Sequence, residues 1–299
     1  MALGSWRTYE RMTRDQGLAV MRAAREAGIT FLDDARYNDE TGRAPIRSGY
    51  SEVVFGELFR GSGWRRDDVV VSNKLWWEFW PGQTPAQELA ESLDRMGLDH
   101  IDLIYSETPP ADVPLEDVVA MISDLIGNGR ARAWGTLNWQ SDLLERACSI
   151  AADAGVPGPC ATQLPYSLVT RAVVESPALA AVVANRDVSI VASYALAGGV
   201  LTGKYDRDSD TGRAAGQLDQ PRYAPGVAVG RELAALAAEF GRDPAQLAMA
   251  FVLLNPVVTT LLFGATTPEQ VAGNVGALTV AAELTSDERA RLRAVGTAS

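Results

Sequence analysis

The sequence predicts a closed (β/α)8 barrel on three observations. Short apolar or β-branched runs alternate along the chain with stretches of helical period, eight such runs can be counted, and no long linker separates them. The 299 residues, 47% hydrophobic and 22% charged, are enough to bury the core that one barrel domain needs. An open doubly wound sheet would want a Gly-rich turn opening an early helix, and no G-x-G-x-x-G is present. The chain therefore reads as a single barrel domain over residues 1–299.

The strands follow in order: "MALGSW", "ITFLDD", "VVVSNKL", "HIDLIYSE", "ARAWGTLN", "PCATQLPY", "VSIVASYAL" and "TTLLFGA". Their near-continuous apolar character is that of strands covered on both faces. Between them lie "TPAQELAESLDRMG", "PLEDVVAMISDLIGNG", "SDLLERACSIAADAG" and "DPAQLAMAFVLLNP". These amphipathic stretches carry Ser, Thr or Asp at the start and Gly, Asn or Pro at the stop. Gly198 to Gly230, between the seventh and eighth strands, is rich in Gly, Asp, Arg and Pro and reads as one long irregular βα loop.

Composition narrows the function classes. The net charge of −11 repels phosphate backbones and the basic residues do not cluster, so nucleic acid is not an expected partner. No run reaches the ~18 to 20 apolar residues of a membrane span, and "MALGSWRTYE" lacks the blocks of a signal peptide. A cytoplasmic protein without membrane contact is expected, with its oligomeric state left open. Cys148 and Cys160 make no disulfide framework and read as a reduced pair. One histidine and two distant cysteines cannot build a typical zinc site, and neither a P-loop nor G-x-S-x-G occurs, so no metal is expected.

In a barrel of this kind the chemistry sits where strands end and βα loops begin. The strand ends here are unusually polar: Asp33, Asp34 and then Tyr37; Asn73 and Lys74; Ser106 and Glu107; Asn138; Gln163; Tyr194. A single polar strand end only marks where a strand surfaces, but several converging on one mouth point to an active site. Asp33, Tyr37 and Lys74 suit proton transfer. A phenol titrates near pH 10, and a lysine held charged by an aspartate would favour its phenolate.

The stretches "GITFLDDARY", "GYSEVVFGELFR", "VVVSNKL", "SLDRMGLDHIDLIY", "NGRARAWGTLNW", "GGVLTGKY" and "LLFGATTPEQVAGN" together resemble the aldo-keto reductase superfamily, in family order and over nearly the whole chain. The resemblance is nearest to the branch that holds the potassium-channel β-subunits and their bacterial relatives. It implies a (β/α)8 barrel with a nicotinamide cofactor, usually NADPH, bound in an extended pose. Asp33, Tyr37 and Lys74 match three of the four catalytic positions, with Tyr37 as the general acid. Asn138 and Gln163 match residues that bond the carboxamide. Ser193 falls where the family stacks an aromatic on the nicotinamide and Tyr194 where it has a hydroxyl. Ser5, Trp6, Asp33, Ala195, Leu196, Gly198, Lys204, Arg213 and Gly264 match further cofactor positions, and Thr266, Gln270 and Asn274 the adenosine phosphate site. No Lys or Arg occurs from Asp243 to Glu288, so a 2′-phosphate would rely on hydroxyls and on arginines of the long loop. Trp6, Trp76 and Trp77, the last two from "LWWEFWPG", read either as loop packing or as an apolar wall for a bulky substrate.

Three departures stand beside the match. The chain begins almost on the first strand, so the hairpin on the barrel floor is expected to be short or missing. The spacing from Asp33 to Tyr37 is one residue tighter than in the family and is followed by an inserted "NDETGRAPIRSG", which leaves Tyr50 as an alternative phenol. Glu107 stands where the family has histidine, and His100, the single histidine, lies at the other end of that strand. Glu107 has three readings: a solvated loop carboxylate, the mark of a binding subunit with weak turnover, or a neutral carboxyl polarising an enone as in the family's steroid double-bond reductases. The expected function is NADPH-dependent reduction of a small aldehyde, ketone or conjugated enone. The alternative is a cofactor-binding, redox-sensing regulatory subunit.

Overall fold

A computed structural model of the chain describes residues 1–205, 216–221 and 223–297. Eight parallel strands close into one barrel: β1 (Ala2–Gly4), β2 (Phe31–Asp33), β3 (Val70–Leu75), β4 (Ile101–Ser106), β5 (Ala131–Leu137), β6 (Ala161–Pro165), β7 (Ser189–Ser193) and β8 (Val258–Phe263). Pairing of β1 with both β2 and β8 completes the ring. Outside it lie α1 (Arg14–Glu26), α2 (Tyr50–Ser62), α3 (Pro85–Met96), α4 (Leu115–Gly127), α5 (Ser141–Ala154), α6 (Pro177–Arg186), α7 (Ala224–Phe240), α8 (Pro244–Leu253) and α9 (Pro268–Val275). Two short C-terminal helices follow, α10 (Ala277–Glu283) and α11 (Ser286–Ala294).

Local chemistry explains the helix starts. Thr13 and Thr84 each form a reciprocal capping box with the glutamine three residues on. Ser176, Asp243 and Thr267 cap α6, α8 and α9, each followed by a proline that lacks the N–H a first turn would leave unpaired. The segment read as one irregular loop from Gly198 to Gly230 contains more order than its composition suggests. A 3-10 turn spans Ala197–Thr202, and α7 begins at Ala224 because Pro225 suits a helical first turn. Among the described residues no helix is long and apolar enough to cross a membrane.

Strand parity sorts side chains between two cores. Leu103, Tyr105, Leu137, Ala161 and Val191 pack inside the barrel. The alternate residues Leu32, Val71, Leu75 and Ile104 pack outward against the helices. Helix α2 packs against the end of α3 at Gly56, where a β-carbon would stand 2.1 Å from the Met96 carbonyl oxygen.

Gly56→Ala should therefore cost about 1 to 3 kcal/mol through overpacking against backbone that has no rotamer to yield. Gly127→Ala, at the end of α4 with nothing within 4 Å of the added carbon, should be neutral or stabilise by up to about 1 kcal/mol. Urea unfolding of the two variants beside the wild type checks the contrast.

Candidate active site

Strand β3 places Lys74 on the barrel side and Asn73 on the helix side, because neighbours on a strand point to opposite faces. Lys74 is 3% exposed. Its Nζ donates to Asp33 Oδ2 at 2.7 Å, to the Asp34 carbonyl at 3.2 Å and to Tyr37 Oη at 3.2 Å. An ammonium has three protons and no acceptor, so these three bonds fill its capacity. Asp33, also buried, accepts from Ser72 Oγ at 2.6 Å through its other oxygen. The tight spacing thus still brings Tyr37 to Lys74. Tyr50, the alternative phenol, lies on α2 against Arg14, 3.2 Å from its Nη2.

Because Lys74 can only donate, Tyr37 Oη accepts from it, and the phenol's own proton is left to point elsewhere. The half-buried ring meets Trp76 edge-on at 5.9 Å. The expectation that Lys74 favours the phenolate is not met by the balance of charges. Burial foremost, then the carboxylates Asp33, Asp34, Glu52 and Glu10, push the Tyr37 phenol well above its ordinary 10. The group therefore stands protonated near neutrality.

A cleft of about 1270 Å³ opens over this trio. Its lining includes Trp6, Asp33, Tyr37, Lys74, Trp76, Asn138, Gln163, Ser193, Tyr194, Ala195, Leu196, Gly198, Lys204, Gly264, Thr266, Gln270 and Asn274. Most of the expected cofactor positions thus line the same cleft as Asp33, Tyr37 and Lys74. Arg213 lies outside the described residues. Asn138 and Tyr194 hold left-handed backbone, φ 61° and 60°, uncommon outside glycine, of the kind that gathers at functional sites. The Trp6 and Tyr194 rings lie 6.4 Å apart, so the aromatic of the swapped pair Ser193–Tyr194 belongs to the cleft wall.

Several expected residues are placed elsewhere. Ser5 is fully buried and does not line the cleft; its hydroxyl donates to Asp34 Oδ1, which Ser51 Oγ also bonds. Trp77, at φ 60°, turns away from Trp76 and packs beneath the loop, with its Nε1 donating to Ser106 Oγ at 3.0 Å. That bond uses Ser106 as well. Asn73 donates to Glu52 Oε1 at 2.8 Å, behind the barrel wall. Glu107 is half-buried and outside the cleft lining. It accepts from the Thr108 N–H at 3.1 Å and from Asn138 Nδ2 at 3.1 Å. A carboxyl that accepts two bonds and faces an amide is not set to donate to a carbonyl, so the geometry does not support its role as polariser.

The cleft also contains residues that the strand-end reading missed: Arg7, Thr8 and Arg11 beyond β1, and Glu40 in the inserted segment. Glu40 lay within the recognised insertion, and Arg7 beside Trp6, but loop residues have no periodicity to announce their direction. Among the described residues no group of His, Cys, Asp or Glu is arranged to hold a metal ion, and Cys148 and Cys160 are both free thiols.

The donors present fit a nicotinamide cofactor. Gln163 Oε1 is buried without a hydrogen-bond partner in a cleft-lining residue, an acceptor suited to a carboxamide N–H. Gly198 adopts φ 73°, and a β-carbon there would meet Tyr223 at 2.6 Å, so only glycine keeps this wall in place. Gln270 Oε1 accepts both the N–H and the hydroxyl of Thr266 at the start of α9, which directs its amide N–H outward as a donor.

Comparison with known proteins gives one answer. The family model described as "Aldo/keto reductase family" matches residues 1–297. A protein of Oryza sativa subsp. japonica named "Probable voltage-gated potassium channel subunit beta" is 31% identical over 313 residues, covering 99% of this chain and 92% of that protein. A protein of Arabidopsis thaliana with the same name is 28% identical over 303 residues, covering 95% and 89%.

Asp34, directly behind the trio, yields a prediction about stability. Burial foremost, then Glu52, pushes its carboxyl from 3.8 up to about 7, against the lowering effect of the bonds from Ser5, Ser51 and the Ala35 N–H. The unfolded chain releases this proton near pH 4 and the folded chain about three units later. The group's stabilising contribution is thus full at low pH and is lost as pH rises through that window, by about 4 kcal/mol. Asp34→Asn, which cannot ionise, should gain on the wild type steadily between about pH 4.5 and 7.5 in denaturant titrations. A stability difference that stays constant with pH would show that Asp34 ionises normally.

Proposed function

The chain belongs to the aldo/keto reductase family, an oxidoreductase family, and from that premise we propose that it reduces the carbonyl of a small aldehyde or ketone with NADPH, Tyr37 delivering the proton. The observation that carries this reading is the three-acceptor seat of Lys74. It leaves the phenolic proton free to face the cleft.

The cofactor would rest along the wall that contains Asn138, Gln163, Tyr194, Gly198, Lys204, Thr266 and Gln270, and it supplies the hydride. The chain's own residues do the rest. Trp76 and Trp6 flank the carbonyl as apolar walls, while Gln163 Oε1 and Asn138 orient the reacting face. As negative charge grows on the carbonyl oxygen, Tyr37 Oη–H hydrogen-bonds to it and passes its proton across. The nascent alkoxide is the stronger base, so the high proton affinity of the buried phenol does not block the transfer. The phenolate left on Tyr37 accepts the Lys74 ammonium proton in a strengthened bond, and Asp33 keeps that ammonium charged. Solvent in the cleft returns the proton to Tyr37. The carbonyl reading is preferred to enone reduction because Glu107 faces Asn138 and not the cleft; there it acts as a positioning group for the amide.

The names of the relatives motivate one other reading, a regulatory subunit that holds cofactor and turns over weakly. Mixing purified protein and NADPH with a panel of aldehydes and ketones separates the two. Many turnovers per protein support the enzyme, and oxidation of one bound equivalent followed by a stall supports the subunit. Tyr37→Phe should lower kcat at least about a hundredfold while NADP+ still binds. Unchanged turnover would remove Tyr37 from the mechanism.

A further inference from the structure

At the rim of the cleft a carboxylate of the chain itself is held in the manner of a bound ligand. Glu40 Oε2 lies 2.6 Å from Arg7 Nη2 and 3.6 Å from Arg11 Nη2. The two guanidinium groups come from the loop after β1, whereas the carboxylate comes from the inserted segment after Tyr37, and all three line the cleft. The Arg7 side chain is 10% exposed and stacks over the Trp6 ring at 5.6 Å. Glu40 is 44% exposed and sits in a segment without regular secondary structure. The cationic half of the pair is thus built in, and the anionic half is replaceable.

Two further observations separate this arrangement from an ordinary surface ion pair. Arg7 holds left-handed backbone at φ 58°, uncommon for a residue with a β-carbon and of the kind that gathers at functional sites. Its side chain lines the cleft. In addition, the charged residues of the described lining are Arg7, Arg11, Lys74 and Lys204 against Asp33 and Glu40, a cationic cleft in a chain of net charge −11. Such a local reversal of sign concentrates anions where the rest of the surface repels them. Glu10 also contacts Arg11, at 3.2 Å, but does not line the cleft. The rim residues Arg7, Arg11 and Glu40 line the same cleft as Tyr37.

We propose that Arg7 and Arg11 form an anion-binding subsite of the cleft, which Glu40 fills until a carboxylate or phosphate group of a ligand displaces it. Arg is suited to this because its planar fork matches both anions. The anion has two sources, an acidic group on the carbonyl substrate or a phosphate of the cofactor. The substrate branch rests on the reductase reading above; the binding measurements do not.

The test uses the full-length protein with Glu40→Gln, Arg7→Gln and Arg11→Gln. Calorimetry gives Kd for benzoate, inorganic pyrophosphate and NADP+, and NADPH oxidation gives kcat/KM for 4-carboxybenzaldehyde relative to benzaldehyde. Removing the internal competitor in Glu40→Gln should tighten anion binding about tenfold, and either arginine variant should weaken it by a similar factor, the size of one charged hydrogen bond. If benzoate binding and the carboxylated-to-neutral kcat/KM ratio respond together, the ligand is an acidic substrate. If pyrophosphate and NADP+ respond and the ratio does not, it is the cofactor's phosphate. Unchanged Kd for all three anions in every variant overturns the subsite. Failure of the wild type to oxidise NADPH with either aldehyde would count against the reductase reading, while the benzoate and pyrophosphate titrations would still decide the subsite. Thermal melting of each variant establishes that it is folded, and Glu40→Gln, exposed and outside any helix or strand, carries the test if an arginine variant is not.

Discussion

A lysine ammonium buried at the mouth of a barrel is a charge that the fold must neutralise on all sides, and the architecture around Lys74 is arranged to do so. Isolated in an apolar interior the group would shed its proton. Here Asp33, the Asp34 carbonyl and Tyr37 take one N–H each. One of these acceptors ends β2 and two come from the loop just beyond it, so β2 and β3 must pair in the register that sets Asp33 beside Ser72. A slip of one residue would turn Lys74 into the helix layer and Asn73 into the cleft. The same constraint that keeps the lysine charged therefore fixes strand register, phenol direction and the free proton.

Behind the wall lies a second polar layer. Asp34 ties Ser5 of the first loop to Ser51 of α2, and Glu52 ties Asn73 of β3 to Arg95 of α3. These links cross the barrel-to-helix boundary at β2 and β3, where buried polar groups must be satisfied or cost stability. Their effect is positional. The loop that contains Ser5 also contains Trp6 and Arg7, and the helix that contains Ser51 begins where the inserted segment ends. Both flanks of the cleft are anchored to the strand that supplies Asp33.

The segment from Asn38 to Gly49 supplies one rim of the cleft through Glu40. It leaves the trio intact because Tyr37 precedes it, and it returns to the fold through a bridge between Asn38 and Ser48. What it adds is an acidic side chain set against two arginines of the opposite flank. The barrel belongs to the family, whereas loops at the mouth of such a barrel are where a shared fold takes on different functions.

The sequence by itself determined the barrel, because eight buried runs alternating with capped amphipathic stretches have few other ways to hide their apolar faces. It also determined that the polar strand ends converge on one mouth; that Tyr37 and not Tyr50 joins Asp33 and Lys74 there was left to the fold. Gly198, Gln163 and Asn138 were legible through the family pattern. Only the tertiary structure decided which neighbour in each pair faces the cleft: Lys74 and not Asn73, Trp76 and not Trp77, Trp6 and not Ser5. Within strands the reason is parity, set by pairing partners far away in sequence; within loops it is single backbone angles, such as the positive φ of Trp77 and Arg7, which no periodicity encodes. Glu107 shows the limit most clearly. Its type and position suggested a reacting carboxyl, but the direction of its side chain depends on Asn138, 31 residues away, and only the folded chain brings the two together.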